Sequence, residues 1–231
     1  MHDFSKFEKN TEVNFKDKNL LKQAFIHRSY INENPGLGLF HNERLEFLGD
    51  AVLELVVTED LYKKFPNQTE GDLTSYRSAL VNAIIISEVA QKLGMNDFLL
   101  LSKGETKDTG RARLYILANT FEAFVGALYL DQGYDAAKDF IVKHLLSLTD
   151  EIVAKKLWQD AKSLVQEKAQ EHLAVTPSYK VISETGPDHD KHFTLGIYFN
   201  NELIAEGKGK SKQEAEQKAA QKALKIKNWL D

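Results

Sequence analysis

Glu43, Glu46 and Asp50 stand three and four residues apart in the run HNERLEFLGDA, residues 41–51. On a helix turning about 100° per residue they fall within an arc of roughly 60° and share one face. A second stretch, ILANTFEAFVGALYL at 116–130, sets Asn119 and Glu122 three apart, again on one face. Its small residues Ala118, Ala123, Gly126 and Ala127 allow close approach to another helix. If the two helices pack side by side, Glu43, Glu46, Asp50, Asn119 and Glu122 converge as an all-oxygen cluster. Hard oxygen donors of this kind suit Mg²⁺ or Mn²⁺.

The first helix must therefore have a core side and an acidic side. The wheel puts Leu45, Leu48, Val52, Leu55 and Val56 roughly opposite the acids. Asn42 is the expected N-cap, and acids in the first turn complement the helix dipole, which suffices for Glu43. It does not account for Asp50, two turns in, nor for Phe47, which falls among the acids and away from the core. An aromatic side chain there calls for a partner outside its own domain, and self-association is the simplest supply.

Up to about residue 150 apolar positions recur at helical spacing. Helices are expected near 18–31, 42–64, 70–92, 113–130 and 134–152, punctuated by Pro66, Gly71, Gly94, Gly110 and Gly133. After Trp158 the pattern becomes one helix (160–173), strands at Ser178–Thr185, Phe193–Phe199 and Glu202–Lys208, and a helix from Ser211 to about Lys227. Asn200-Asn201 suits a tight hairpin turn. The expected architecture is multidomain: an all-α domain over 1–153, then a small α+β domain of order α-β-β-β-α over 158–228.

The 231 residues are 42% hydrophobic and include no cysteine, which excludes disulfides, thiolate metal sites and cysteine nucleophiles. A cytoplasmic location is the default expectation. MHDFSKFEKN lacks the apolar core of a secretion signal, and no run of about 18 uncharged apolar residues occurs, so no membrane association is expected. The net charge of −4 disfavours nucleic acid as a partner of the whole chain, yet Gly207–Lys227 carries seven lysines against two glutamates. Ser211 is a good N-cap there, and Lys208, Lys210 and Lys212 gather where helix N–H groups already favour phosphate.

Taken as strings, NERLEFLGDA, HRSY (27–30), EGDLTSYRSALVN (70–82) and TFEAFVGALYLDQGY (120–134) closely resemble the ribonuclease III family of double-stranded-RNA endonucleases. The C-terminal unit resembles a double-stranded-RNA-binding domain, so the resemblance covers nearly the whole chain. It implies that Glu43, Glu46, Asp50 and Glu122 are catalytic-site acids, with Glu46, Asp50 and Glu122 closest to a Mg²⁺ ion for which Mn²⁺ can substitute. It further implies a homodimer with Phe47 at the interface. Glu70 matches another acidic position of the family, although Thr69-Glu70-Gly71-Asp72 also has the form of a capping box. The implied reaction is hydrolysis of duplex RNA to 5′-phosphate and 3′-hydroxyl ends, each subunit cutting one strand, in processing such as rRNA maturation.

Asn119 departs from the pattern, standing where the family usually has Asp. An amide oxygen can coordinate but brings no negative charge. Either a metal-bound water takes over its role, or cleavage is impaired and the chain is an RNA-binding dimer. In the C-terminal unit the resemblance assigns Lys210 and Lys212 to phosphates across the narrow major groove and His189, in GPDHDKHF (186–193), to a minor groove. It assigns Gln166, with Ser163 and Gln170 a turn to either side, to the first-helix contact. Gln213 replaces a usual lysine. The loop 103–113, with Lys103, Lys107, Arg111 and Arg113, is either a solvated loop or a further RNA contact.

Overall fold

The computed structural model describes residues 3–107, 109–154, 158, 161–187 and 191–229. The chain divides into two compact units, Met1–Trp158 and Gln159–Asp231.

The first unit is helical: α1 (Ser5–Thr11), α2 (Lys18–Ala24), α3 (Arg28–Glu33), α4 (Glu43–Lys64), α5 (Glu70–Leu80), α6 (Ala83–Lys92), α7 (Lys103–Lys107), α8 (Arg111–Gln132), α9 (Tyr134–His144) and α10 (Thr149–Ala154). The two long helices α4 and α8 pack on each other at its centre, and α2, α6 and α9 pack on α8. Phe7, Phe25 and Phe124 meet edge to face, with Phe7 centroids 5.0 Å from Phe25 and 5.4 Å from Phe124.

Three expected helices are broken. The segment 18–31 stops at Ala24 because Ile26 forms a parallel bridge with Leu100: Leu100 N donates to Phe25 O at 2.9 Å and His27 N to Leu100 O at 3.1 Å. Residues 70–92 divide where the Asn82 side chain accepts from Ile84 N and Ile85 N at 3.1 Å each and starts a new helix. Past His144 the third gives way to a 3₁₀ turn, Leu146–Leu148, before α10.

Two expectations for α4 are corrected. Asn42 does not cap it: the residue is buried, and its amide donates to Ala24 O at 3.0 Å, tying the start of α4 to α2. Leu55 is not a core residue but 57% exposed. On the wheel it lies about 80° from Phe47, nearer the exposed arc than the middle of the buried one.

In the second unit, α11 (Ala161–Leu173) precedes the antiparallel sheet β1 (Ser178–Thr185), β2 (His192–Phe199), β3 (Glu202–Gly209), and α12 (Lys212–Ile226) follows. Asn200 turns the β2–β3 hairpin with φ 54°, a value Asn tolerates better than most residues. Val165, Ile197, Phe199, Ala219 and Leu224 belong to the core between sheet and helices. A Cβ on Gly207 would meet Ala215 O at 2.0 Å, so α12 lies directly on β3. Its alanines 215, 219, 220 and 223, all fully buried, make that approach possible.

Trp158, assigned from sequence to the second domain, packs instead in the first unit, 4.8 Å from the Tyr76 ring of α5. An indole at a boundary serves whichever core has room for it, and α5 offers Tyr76 beside Phe65.

Candidate metal centre and nucleic-acid interface

The crossing of α4 and α8 is set by two glycines. A Cβ on Gly49 would stand 1.7 Å from Glu122 O, and one on Gly126 would stand 2.2 Å from Leu45 O. Backbones this close bring the neighbours of Gly49 to those of Gly126. The small residues Ala118, Ala123 and Ala127 are buried as their size suggested.

Glu122 is the most enclosed of the acids. Burial, followed by the charges of Asp50, Glu46 and Glu54, pushes its pKa up to about 7. Glu46 is also raised, first by burial and then by Glu43, while a hydrogen bond from the Asn119 side chain opposes the rise and Asp50 adds to it. The structure thus gathers Glu46, Asp50, Asn119 and Glu122 from two helices into one electrostatic group. Glu43 acts on Glu46 but is not among the charges that raise Glu122, and it lies 3.7 Å from Arg28 and 3.7 Å from His41. Glu70 lies in the first turn of α5, where Thr69 and Asp72 complete a capping box.

The donor set fits a hard divalent cation. Among the described residues no three Asp, Glu or His side chains already form a metal cage. Mg²⁺ does not require one, because it keeps several waters and commonly uses one or two carboxylates plus substrate phosphate. Carboxylates that resist ionisation because of burial and mutual repulsion are the groups a cation relieves.

Sequence reasoning missed Glu54, one turn past Asp50, although its spacing of four from Asp50 is visible in the string. Phe47 is 80% exposed beside the acids, and Phe40, also unremarked from sequence, is 75% exposed. A cavity of about 810 Å³ is lined by Tyr30, Ser87, Gln91, Asn96, Leu100 and Arg113 among others, and none of Glu46, Asp50 and Glu122 borders it. Arg113 is engaged within the protein, donating to Asn96 Oδ1 at 3.0 Å and to Glu105 O at 2.6 Å. The bond to Glu105 O and another to Thr106 O tie the start of α8 to α7.

In the second unit, Ser163, Gln166 and Gln170 line one shallow groove on α11 with Glu167 and Glu171. Ser211 Oγ accepts from Glu214 N at 3.1 Å as the cap of α12. Lys210 N donates to Glu214 Oε2 at 2.8 Å, and the Lys212 ammonium lies 5.8 Å from the centre of the Phe193 ring. Lys208, Lys210 and Lys212 are exposed around this helix start. His189 lies outside the described residues.

Comparison with known proteins bears on both units. Residues 17–149 match the Ribonuclease-III-like family model and residues 161–227 the double-stranded RNA binding motif. Ribonuclease 3 of Enterococcus faecalis is 48% identical over 211 residues, 91% of each chain. Ribonuclease 3 of Desulforamulus reducens is 46% identical over 216 residues, 93% of this chain and 88% of that one. The solved nuclease domain of Ribonuclease III from Campylobacter jejuni, described with a flexible region involved in dimer formation, is 40% identical with a TM-score of 0.57, covering 63% of this chain and 97% of that one. The chain belongs to the ribonuclease III family: it is an endoribonuclease whose nuclease domain is joined to a double-stranded-RNA-binding domain.

Proposed function

We propose that Glu46, Asp50 and Glu122 bind Mg²⁺, with Mn²⁺ able to replace it, and that the protein uses this site to hydrolyse phosphodiester bonds of duplex RNA. The observation that carries the reading is the Glu122 carboxyl, held in a half-buried setting beside Asp50 and Glu46 with its pKa near 7. A bound divalent ion supplies an activated water at neutral pH and stabilises charge on the leaving oxygen. Asp50 and Glu122, one from each helix, give the site its two fixed carboxylates. Glu46 stands beside them, and Asn119 favours the charged form of Glu46. Glu43 adds its charge to the field at Glu46. The products are 5′-phosphate and 3′-hydroxyl ends.

RNA is held through the second unit by Lys210 and Lys212 at phosphates and by Ser163 and Gln166 on α11, with His189 at a minor groove. These contacts read duplex shape and leave sequence largely unread. Phe47 seals a homodimer, in which each subunit cuts one strand. Support comes from its exposure among acids and from the dimer-forming region described for the Campylobacter jejuni domain. The cellular role that follows is cytoplasmic maturation of structured RNA such as rRNA precursors. Among the described residues no helix is long and apolar enough to cross a membrane.

The test is cleavage of end-labelled duplex RNA with Mg²⁺. The wild type should cut, Glu122→Gln should bind the duplex without cutting, and Asn119→Asp should cut at lower Mg²⁺ because it adds a charge to the donor set. Binding without cleavage by the wild type at every Mg²⁺ and Mn²⁺ concentration, with cleavage restored by Asn119→Asp, would favour an RNA-binding dimer silenced at this position.

A further inference from the structure

Glu54 continues the acidic stripe of α4 one turn past Asp50, and it is close enough to Glu122 to add to the charge around it. By spacing alone it is as eligible a ligand as Glu43. Cations bracket the stripe at its two ends. Arg28 stands 3.7 Å from Glu43, and Arg77 Nε of α5 stands 3.0 Å from Glu54 Oε2. A second bond from the same guanidinium to Thr58 Oγ1, at 3.0 Å, fixes it against α4 at two points. Between these ends, Glu46 and Asp50 face Glu122, each acting on it as a like charge.

We propose that Arg77 is a positioning residue: by holding Glu54 toward α5 it keeps that carboxylate out of the ligand set and confines the divalent cation to Glu46, Asp50 and Glu122. This rests on the reading of those three acids as the metal site. Without Arg77, Glu54 becomes a further free carboxylate one helical turn away. A cation can then settle between Asp50 and Glu54, bound more tightly but displaced from Glu122. Charge and placement thus change in opposite senses for binding and for catalysis. The Arg77 and Glu54 side chains are 35% and 40% exposed, so their charges are only partly screened.

The test uses full-length protein freed of metal by chelation, titrated with Mn²⁺ without RNA while the electron paramagnetic resonance of free Mn²⁺ is followed. Arg77→Gln should tighten Mn²⁺ on the order of tenfold, the effect of one net charge near a divalent ion. Glu54→Gln should weaken it comparably, and the double variant should return close to wild type. With saturating Mg²⁺ and duplex RNA, kcat should fall in Arg77→Gln and recover in the double variant. Thr58→Val, which only loosens the guanidinium, should move Mn²⁺ affinity the same way by less. Unchanged Mn²⁺ affinity in Arg77→Gln and Glu54→Gln would overturn the proposal. So would a double variant as slow as Arg77→Gln, which would place Arg77 on the RNA. If Glu122→Gln bound Mn²⁺ as the wild type does, the metal-site reading itself would fall, a result separable from either.

Discussion

Gly49 and Glu122 are in backbone contact: a methyl group added to Gly49 would come within 1.7 Å of the Glu122 carbonyl oxygen. No rotamer change relieves a clash with a carbonyl in a helix, so α4 and α8 must separate. Gly49→Ala should therefore destabilise the nuclease domain by about 1–3 kcal/mol or more, read as a lower urea midpoint. Cleavage should fall further than stability does, because the separation also draws Asp50 away from Glu122. A variant with unchanged stability and activity would mean that the close approach is not what positions the acids.

Glu122 gives the fold a pH dependence whose sign is fixed. Its folded-state pKa is about 7, above the usual value near 4.5, so between those values the folded state binds more protons than the unfolded state. Stability from this group therefore falls as pH rises from about 4.5 to 7. His27 and His144, whose pKa values burial lowers, act in the opposite sense, so the comparison must be between variants. Metal-free Glu122→Gln should gain in melting temperature over wild type at pH 8 and lose that gain by pH 5. Saturating Mg²⁺ should raise the wild type more than the variant. A difference independent of pH would contradict the assigned burial and charge.

How far the sequence reveals this site depends on which contacts are local. The shared face of Glu43, Glu46 and Asp50, the exposure of Phe47 and the β2–β3 hairpin follow from spacing, because wheel and alternation place side chains without knowledge of the rest of the chain. That Glu122 joins those acids is implied by the resemblance and needs α8 packed on α4. Asn42 does not, since its amide is drawn to Ala24 O, supplied by a helix packed against it in three dimensions. Leu55 is ambiguous at the edge of the buried arc. The break at Phe25 and Ile26 depends on Leu100, far along the chain, and so leaves no periodic trace. Glu54 was legible as a spacing, but its pairing with Arg77 required α5 to be in place.

Phe47 should contribute to self-association. Phe47→Ala is expected to shift sedimentation toward monomer at micromolar concentration, with little change in melting of the isolated subunit, because an 80% exposed side chain stabilises its own fold little. Leu55→Ala, on the same exposed arc, is a natural companion variant. Identical sedimentation of Phe47→Ala and wild type would remove Phe47 from the interface.

The lysines at the start of α12 should act through phosphate. Lys210→Ala with Lys212→Ala is expected to weaken duplex binding regardless of sequence and to reduce the slope of log affinity against log salt by about one unit per lost phosphate contact. The two side chains lie outside the core of their domain, so its fold should persist by circular dichroism. An unchanged slope would refute these contacts.

The most direct examination of the metal site is a crystal of the protein soaked in Mn²⁺ and measured for anomalous scattering. One peak within about 2.0–2.3 Å of carboxylate oxygens of both Asp50 and Glu122 is the expected result. A well-occupied peak touching only one of them, or none near either, would contradict the shared site.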